Sequence, residues 1–481
     1  MTAARLLAAN ECRLMVRSRV AQIAVLMLLA LSAIAALTSI AHRDASNDLR
    51  IRFQQQADRE FDGQPARHPH RMVHYGHFVF RPLPALAAFD PGVDAFTGST
   101  IFLEGHRHNS ANFGDVRQSS LLARFGQLTP AFVLQVLAPL VLIFIGFGAV
   151  ARERETGTLR VLRSHGMTAQ SLVVGKMLAL GGVAALILLP AGLSLAWLVA
   201  AEGASPMIAG LLALGYALYL VLWASGIVTV SAIVRDARTA LMGLLGIWAL
   251  TTILVPRIAP DIALSAKPLP TRLETDIAIQ RDLHRIGDSH NPDDPHFAAF
   301  KAKVLAQYGV SKVEDLPVNY RGLLAMEGEK LTSGLFDKYA AEQFGAQRVQ
   351  GKTALGFGLA SPAIAMRSLS MALSGTDLDG HRRFLQQAEA YRFAMIQQLN
   401  RLQAEALTYA DDGNRNRDPD AARRVRIDPE HWHDVPDFTY RGASASERLQ
   451  AALPGAAILL FWLVLAGAAL RTAIRHLGEA V

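Results

Sequence analysis

The chain has 481 residues, of which 51% are hydrophobic and only 19% are charged, and its formal net charge is +7 at pH 7. Soluble proteins carry about 25% charged residues, so this composition favours a membrane protein. The single cysteine excludes an internal disulfide scaffold, and 37 glycines and 21 prolines are too few for a collagen-like or low-complexity chain.

Six apolar runs without Asp, Glu, Lys or Arg predict six membrane-spanning helices, because about 20 apolar residues are needed to cross the hydrocarbon core. The predicted order is a cytoplasmic amphipathic helix at 1–19, spans at 20–41, 128–151, 177–201, 207–234, 239–255 and 451–470, and a cytoplasmic tail at 471–481. An ordinary basic flank is the alternative for 1–19. The fifth run ends at Pro256, so we expect a short span or a break there.

The basic residues predict the orientation of these spans. Thirteen Lys and Arg lie in the short segments on one side of the spans, whereas the short segment 202–206 on the other side has none. By the positive-inside rule, both termini are expected to face the cytoplasm. Because orientation accounts for the excess positive charge, we do not expect nucleic-acid binding.

Two long segments, 42–127 and 256–450, interrupt the series of spans on the predicted outer side. A helix at 47–61 and β-branched and aromatic residues around 78–102 are predicted in the first, and helices at 323–344 and 384–409 in the second. The first has too few apolar residues to bury a core alone. The fold class is therefore a mainly α membrane protein with an α-rich (α+β) periplasmic domain built from both insertions.

The charged segment 152–176 between the second and third spans carries the most informative motif. It predicts a short helix between two glycine breaks, Gly157 and Gly166, which could transmit the motion of a docked partner to both spans. The alternative is a stop-transfer flank that only anchors topology. The pattern E-R-E-x-G-T-L, a Ser/His-Gly turn and then G-K resembles the ABC-2 family of transporter permeases. The Ser-Pro segment 359–369 is similar to one such permeases carry before their last span.

The resemblance is to a subgroup with large periplasmic insertions after the first and fifth spans, and it implies a role in the bacterial inner membrane. The ATPase-coupling residues would be Glu153, Glu155, Gly157, Thr158, Leu159 and Leu162. Two separate ATPase subunits would bind ATP and Mg, and a second permease, identical or paralogous, would complete the exporter. The rival hypothesis is a non-transporting complex that remodels or loads a periplasmic partner such as a metalloprotein. The substrate and the direction of its movement stay open.

The sequence predicts that the chain itself is not an enzyme and holds no cofactor. The nearest approach to a P-loop has five residues between Gly345 and Gly351, where the phosphate cradle needs four. No H-E-x-x-H or G-x-S-x-G hydrolase pattern occurs. The apolar runs also lack the buried charges that ion-coupled transporters place near the bilayer centre.

Six histidines are concentrated in the first insertion: His68, His70, His74, His77, His106 and His108. Imidazoles at such spacings can share a metal ion. Because no cysteine or methionine cluster accompanies them, the sequence predicts no physiological metal site, and His68, His70 and His74 are the candidates should one exist.

Overall fold

The computed structural model describes residues 3–107, 109, 111–112, 127–287, 291 and 294–479. Within these residues, six helices are long and apolar enough to cross a membrane, and we call them spans one to six: Arg19–Asp62, Pro130–Glu155, Ala169–Glu202, Pro206–Ile233, Ala237–Ala266 and Ala445–Glu479. The prediction of a mainly helical membrane protein with six candidate spans is confirmed.

The remaining described helices and strands precede, connect or interrupt the spans. The helices are α1 (Ala3–Arg17), α2 (Pro69–Tyr75), α3 (Thr158–Ser164), α4 (Arg272–Ile286), α5 (Pro295–Tyr308), α6 (Tyr320–Gly356), α7 (Pro362–Ser374), α8 (Leu378–Ala406), α9 (Tyr409–Asn414), α10 (Pro419–Arg424) and α11 (Glu430–His433). The strands β1 (His77–Phe80) and β2 (Thr100–Leu103) pair antiparallel, with His77 opposite Leu103.

Span one is a single helix of 44 residues that continues well beyond the predicted boundary at residue 41. The separate helix predicted at 47–61 is its second half. Neither glycine nor proline occurs between residues 42 and 62, so nothing in the sequence interrupts the backbone hydrogen bonds before Gly63. Span one therefore extends from the bundle of spans into the insertion.

The break that was one of the expectations at Pro256 does not occur. Span five continues through Pro256 and Pro260 to Ala266. A π-helical turn, Ala249–Leu254, directly precedes Pro256. Proline lacks an N–H and clashes with the carbonyl four residues earlier, and a π turn changes the local hydrogen-bond spacing so that the helix continues. Span two has the same arrangement, in which the π turn Val133–Leu137 precedes a proline at residue 139.

Helix α1 lies against the start of span three. Leu7 is buried, and a Cβ added at Gly175 would lie 2.8 Å from the Leu7 side chain. The segment predicted as an amphipathic helix is thus helical, and its apolar side packs on the protein.

Helix α7, which belongs to the second insertion in sequence, packs among the spans in space. A Cβ at Gly455 in span six would lie 2.9 Å from the Ala365 carbonyl, and one at Gly215 in span four would lie 2.8 Å from Leu369. The contact at Gly455 is with backbone and needs glycine, since a larger residue would separate the helices. The core of the bundle therefore includes α7.

Both insertions contribute to one further core, and we call the described parts of 63–112 and 272–441 the insertion domain. Met72 and Val79 from the first insertion pack with Phe384, Ile396 and Trp432 from the second, and all five are fully buried. The first insertion thereby obtains the apolar partner that it lacks by itself.

Candidate functional site

The segment between spans two and three folds as a bent helical connection, which we call the elbow (residues 151–168). Gly157 and Gly166 adopt positive φ angles of 75° and 84° on either side of α3. A Cβ at either glycine would meet no atom within 4 Å, so backbone conformation and not crowding favours glycine there. Thr168 then caps span three by accepting a hydrogen bond from Ser171 N at 3.1 Å.

The carboxylates predicted to contact an ATPase hold the elbow to the bundle. Glu153 pairs with Lys176 of span three, whose buried ammonium also lies 2.8 Å from the Glu11 carboxylate of α1. Glu155 accepts a hydrogen bond from Ala237 N, at the start of span five, at 2.9 Å. The structure thus places Glu153 and Glu155 at separate anchors.

Arg154, between these two glutamates, ties the elbow to the end of span four. Its guanidinium donates to the carbonyl oxygens of Ala232, at 2.6 Å, and Val234. Ser231 Oγ accepts hydrogen bonds from the backbone N–H groups of Val150 and Ala151 at 3.0 and 3.1 Å. These contacts satisfy polar groups at the helix ends. The sequence gives little sign of them, because the partners are about 80 residues apart.

Helix α3 offers an exposed face next to these anchors. None of its residues is buried, and Val161 is 55% exposed. Leu159 and Leu162 are half-buried against the bundle, and Arg163 donates to the Gly478 carbonyl at the end of span six at 3.2 Å. The outward side of α3, with Thr158 beside the Gly157 turn, is the part of the elbow that a partner protein can contact.

Polar side chains join the insertion domain to the spans at the opposite end of the bundle. Tyr216 OH in span four lies 2.9 Å from Ser370 Oγ of α7 and accepts a hydrogen bond from Gln135 of span two at 2.8 Å. Ser370 also donates to the buried Asp90 carboxylate from the first insertion. In the Ser-Pro motif, Ser361 accepts a hydrogen bond from Ile364 N at the start of α7. The motif thus positions a helix that connects the insertions with spans two and four.

Three histidines of the first insertion form a cluster. His70 and His74 lie one turn apart on α2, and His106 follows β2. Their candidate ligand nitrogens all lie within 4.8 Å of one another. Of the candidate ligands named from sequence, the structure brings together His70 and His74. The third member, His106, was not among those candidates, because two strands and a long connection separate it from α2.

The other histidines lie elsewhere. His68 is buried, with Nε2 3.0 Å from the Asp412 carboxylate. Burial tends to raise the pKa of Asp412, but hydrogen bonds, that of His68 foremost, lower it overall to well below the usual range. His77 Nε2 lies 3.1 Å from the Asp58 carboxylate, and His108 lies outside the described residues.

Comparison with known families assigns the two parts of the chain. Residues 5–296 match the family described as ABC-2 family transporter protein. Residues 272–441, most of the second insertion, match a domain of unknown function, DUF3526. No curated protein matches the sequence. Because the first match covers more than half of the 481 residues, the chain belongs to the ABC-2 family of transporter membrane proteins.

Proposed function

We propose that the chain is the permease subunit of an ATP-driven exporter. Two separate ATPase subunits bind ATP and Mg, and the chain converts their closure into movement of its spans. The observation that carries this proposal is the elbow, because it combines an exposed helix, α3, with anchors to the spans on its inner side.

The anchors define how a push on α3 reaches the bundle. Glu153 connects the elbow to Lys176 in span three, Glu155 to the start of span five, and Arg154 to the end of span four. Partly buried ion pairs and hydrogen bonds resist stretching more than solvated ones. A displaced α3 therefore moves the ends of several spans together, and α7, which packs among the spans, transmits the movement to the rest of the insertion domain.

The proposed setting is the bacterial inner membrane, with the elbow and both termini in the cytoplasm and the insertion domain in the periplasm. The four arginines of the elbow support this orientation. A second permease, identical or paralogous, completes the unit. The outward apolar residues of spans one and six, such as Leu37 and Val464, which are 70% and 74% exposed, face lipid or this second permease.

The test uses the full chain expressed with its ATPase subunits. Val161→Asp places a charge on the exposed face of α3 without disturbing an anchor. We expect loss of ATPase co-purification and of stimulated ATP hydrolysis, while Gln343→Asp, at an exposed site on α6, leaves both unchanged. Full ATPase binding and stimulation by the Val161→Asp protein would refute the role of α3.

The second candidate function is ATP-driven remodelling or loading of a periplasmic partner. The insertion domain favours it, because this domain has its own core and carries three clustered histidines. If sealed vesicles show no ATP-dependent solute movement while ATP still changes trypsin cleavage of α6, this candidate is preferred. Solute movement abolished by Val161→Asp would instead support export.

A further inference from the structure

The three clustered histidines have the geometry of a metal site. His70 Nε2 and His74 Nε2 lie 3.2 Å apart. The His106 ring centre lies 6.1 Å from that of His70 and 5.5 Å from that of His74. Two nitrogens that bind one Zn²⁺ ion at about 2.0–2.1 Å in tetrahedral geometry are about 3.3 Å apart. The α2 pair already has this separation, and all three candidate ligand atoms lie within 4.8 Å of one another.

The backbone and a buried carboxylate hold His106 toward this position. His106 has a φ of 62°, a conformation uncommon for residues other than glycine. Glu329 Oε2 accepts a hydrogen bond from His106 N at 3.3 Å and lies 3.4 Å from His106 Nδ1. Metal-binding histidines typically donate their second ring nitrogen to such a carboxylate, which sets the tautomer. Nδ1 thus faces Glu329, and Nε2 is the nitrogen that can bind metal.

Glu329 is itself held firmly. Its side chain is fully buried on α6 and pairs at 2.5 Å with Arg392 of α8, which also pairs with Glu389 at 2.7 Å. A carboxylate held in this way keeps its orientation toward His106. The site is therefore supported by elements from both insertions.

We propose that His70, His74 and His106 bind one divalent transition-metal ion, Zn²⁺ foremost, with a fourth coordination position open to solvent. Three imidazoles suit Zn²⁺ or Cu²⁺, whereas Mg²⁺ and Ca²⁺ need oxygen ligands. The absence of a cysteine or methionine cluster beside these histidines led to the opposite prediction from the sequence, but three histidines alone are a sufficient zinc ligand set. Because His74 is exposed, the open position is accessible to a solute or to a side chain of a partner.

The test measures metal on the purified full chain, carrying an affinity tag without histidine, after dialysis against Zn²⁺. We expect one zinc per chain by elemental analysis. His74→Ala should lower the affinity at least about 100-fold, and Glu329→Gln about 10–100-fold, as changes to the hydrogen-bond partner of a ligating histidine do. His284→Ala, an exposed histidine on α4, is the matched control and should leave the affinity unchanged.

A second measurement separates metal binding from folding. Zn²⁺ should raise the midpoint of thermal unfolding of the wild type and of His284→Ala but not of His74→Ala, while circular dichroism shows equal helix content in all three. Zinc in less than half of the wild-type chains, or equal affinities for His74→Ala and His284→Ala, would overturn the proposal.

Discussion

Two glycines on α6 are expected to respond to the same substitution in opposite directions. A Cβ at Gly322 would lie 2.4 Å from Ala404 N and 2.6 Å from Ala404 Cα of α8, whereas one at Gly334 would meet nothing within 4 Å. The first contact is with backbone, which cannot rotate away. Gly322→Ala must therefore separate α6 from α8, and Gly334→Ala only removes the conformational freedom of glycine at an exposed position of α6.

The structure sets the size of the two effects. Normal contact requires about 3.4 Å, so the helices must move apart by about 1 Å at Gly322, and overpacking of this kind costs about 1–3 kcal/mol. Because the contacted atoms belong to the backbone, we expect an overpacking cost of about 3 kcal/mol. The gain in helix propensity offsets about 1 kcal/mol of this cost. Gly334→Ala receives that gain alone. A change of 1 kcal/mol in the free energy of unfolding shifts the unfolding midpoint of a domain of this size by about 2–4 °C. The midpoint should therefore fall by about 4–8 °C in Gly322→Ala and rise by about 1–4 °C in Gly334→Ala.

The assay is thermal unfolding of the purified full chain in detergent, in a background in which the four tryptophans of the spans are replaced by phenylalanine, so that the fluorescence of Trp432 is the signal. Trp432 is fully buried in the core of the insertion domain and so reports on that domain. A Gly322→Ala protein at least as stable as Gly334→Ala would show that α6 and α8 are not in the close contact described here.

Three further results are expected. Lys176→Met leaves two carboxylates beside an uncharged side chain, so α1 should detach and be cut by trypsin faster than in the wild type; an unchanged rate would argue against the anchor. In a Cys12→Ser background, a membrane-impermeant thiol reagent added to the periplasmic side should label Gln343→Cys but not Ser164→Cys, and the reverse pattern would invert the proposed orientation. Burial raises the pKa of Asp377 to about 6, above its unfolded value of about 3.9. The free energy of unfolding of the wild type should therefore fall by up to about 2 kcal/mol as the pH rises from 4 to 7. Asp377 caps the start of α8 by accepting a hydrogen bond from Gly380 N, and Asp377→Asn keeps an oxygen that can do the same. This variant should therefore abolish the loss, whereas an equal pH dependence in both proteins would contradict the raised pKa of Asp377.

The number and order of the spans could be predicted from sequence because the requirement is local. About 20 uncharged apolar residues are needed wherever a helix crosses the bilayer, whatever it packs against. The glycine breaks of the elbow have the same local character, since Gly157 and Gly166 adopt backbone conformations that other residues avoid. The ends of the spans were not predictable in this way. A π turn before Pro256 lets span five continue, and the first span extends beyond its apolar part to Asp62.

The composition of each site was decided by tertiary structure. The motif that contains Glu153 and Glu155 is visible in the sequence, but their partners Lys176 and Ala237 are distant along the chain, so only the fold shows that the carboxylates anchor the elbow. The histidine cluster follows the same rule, because folding brings His106 to α2 and turns His68 toward Asp412. Hydropathy and turn preference depend on neighbouring residues, and the sequence alone determines them. Ligand sets and ion pairs depend on which distant residues the packed helices bring together.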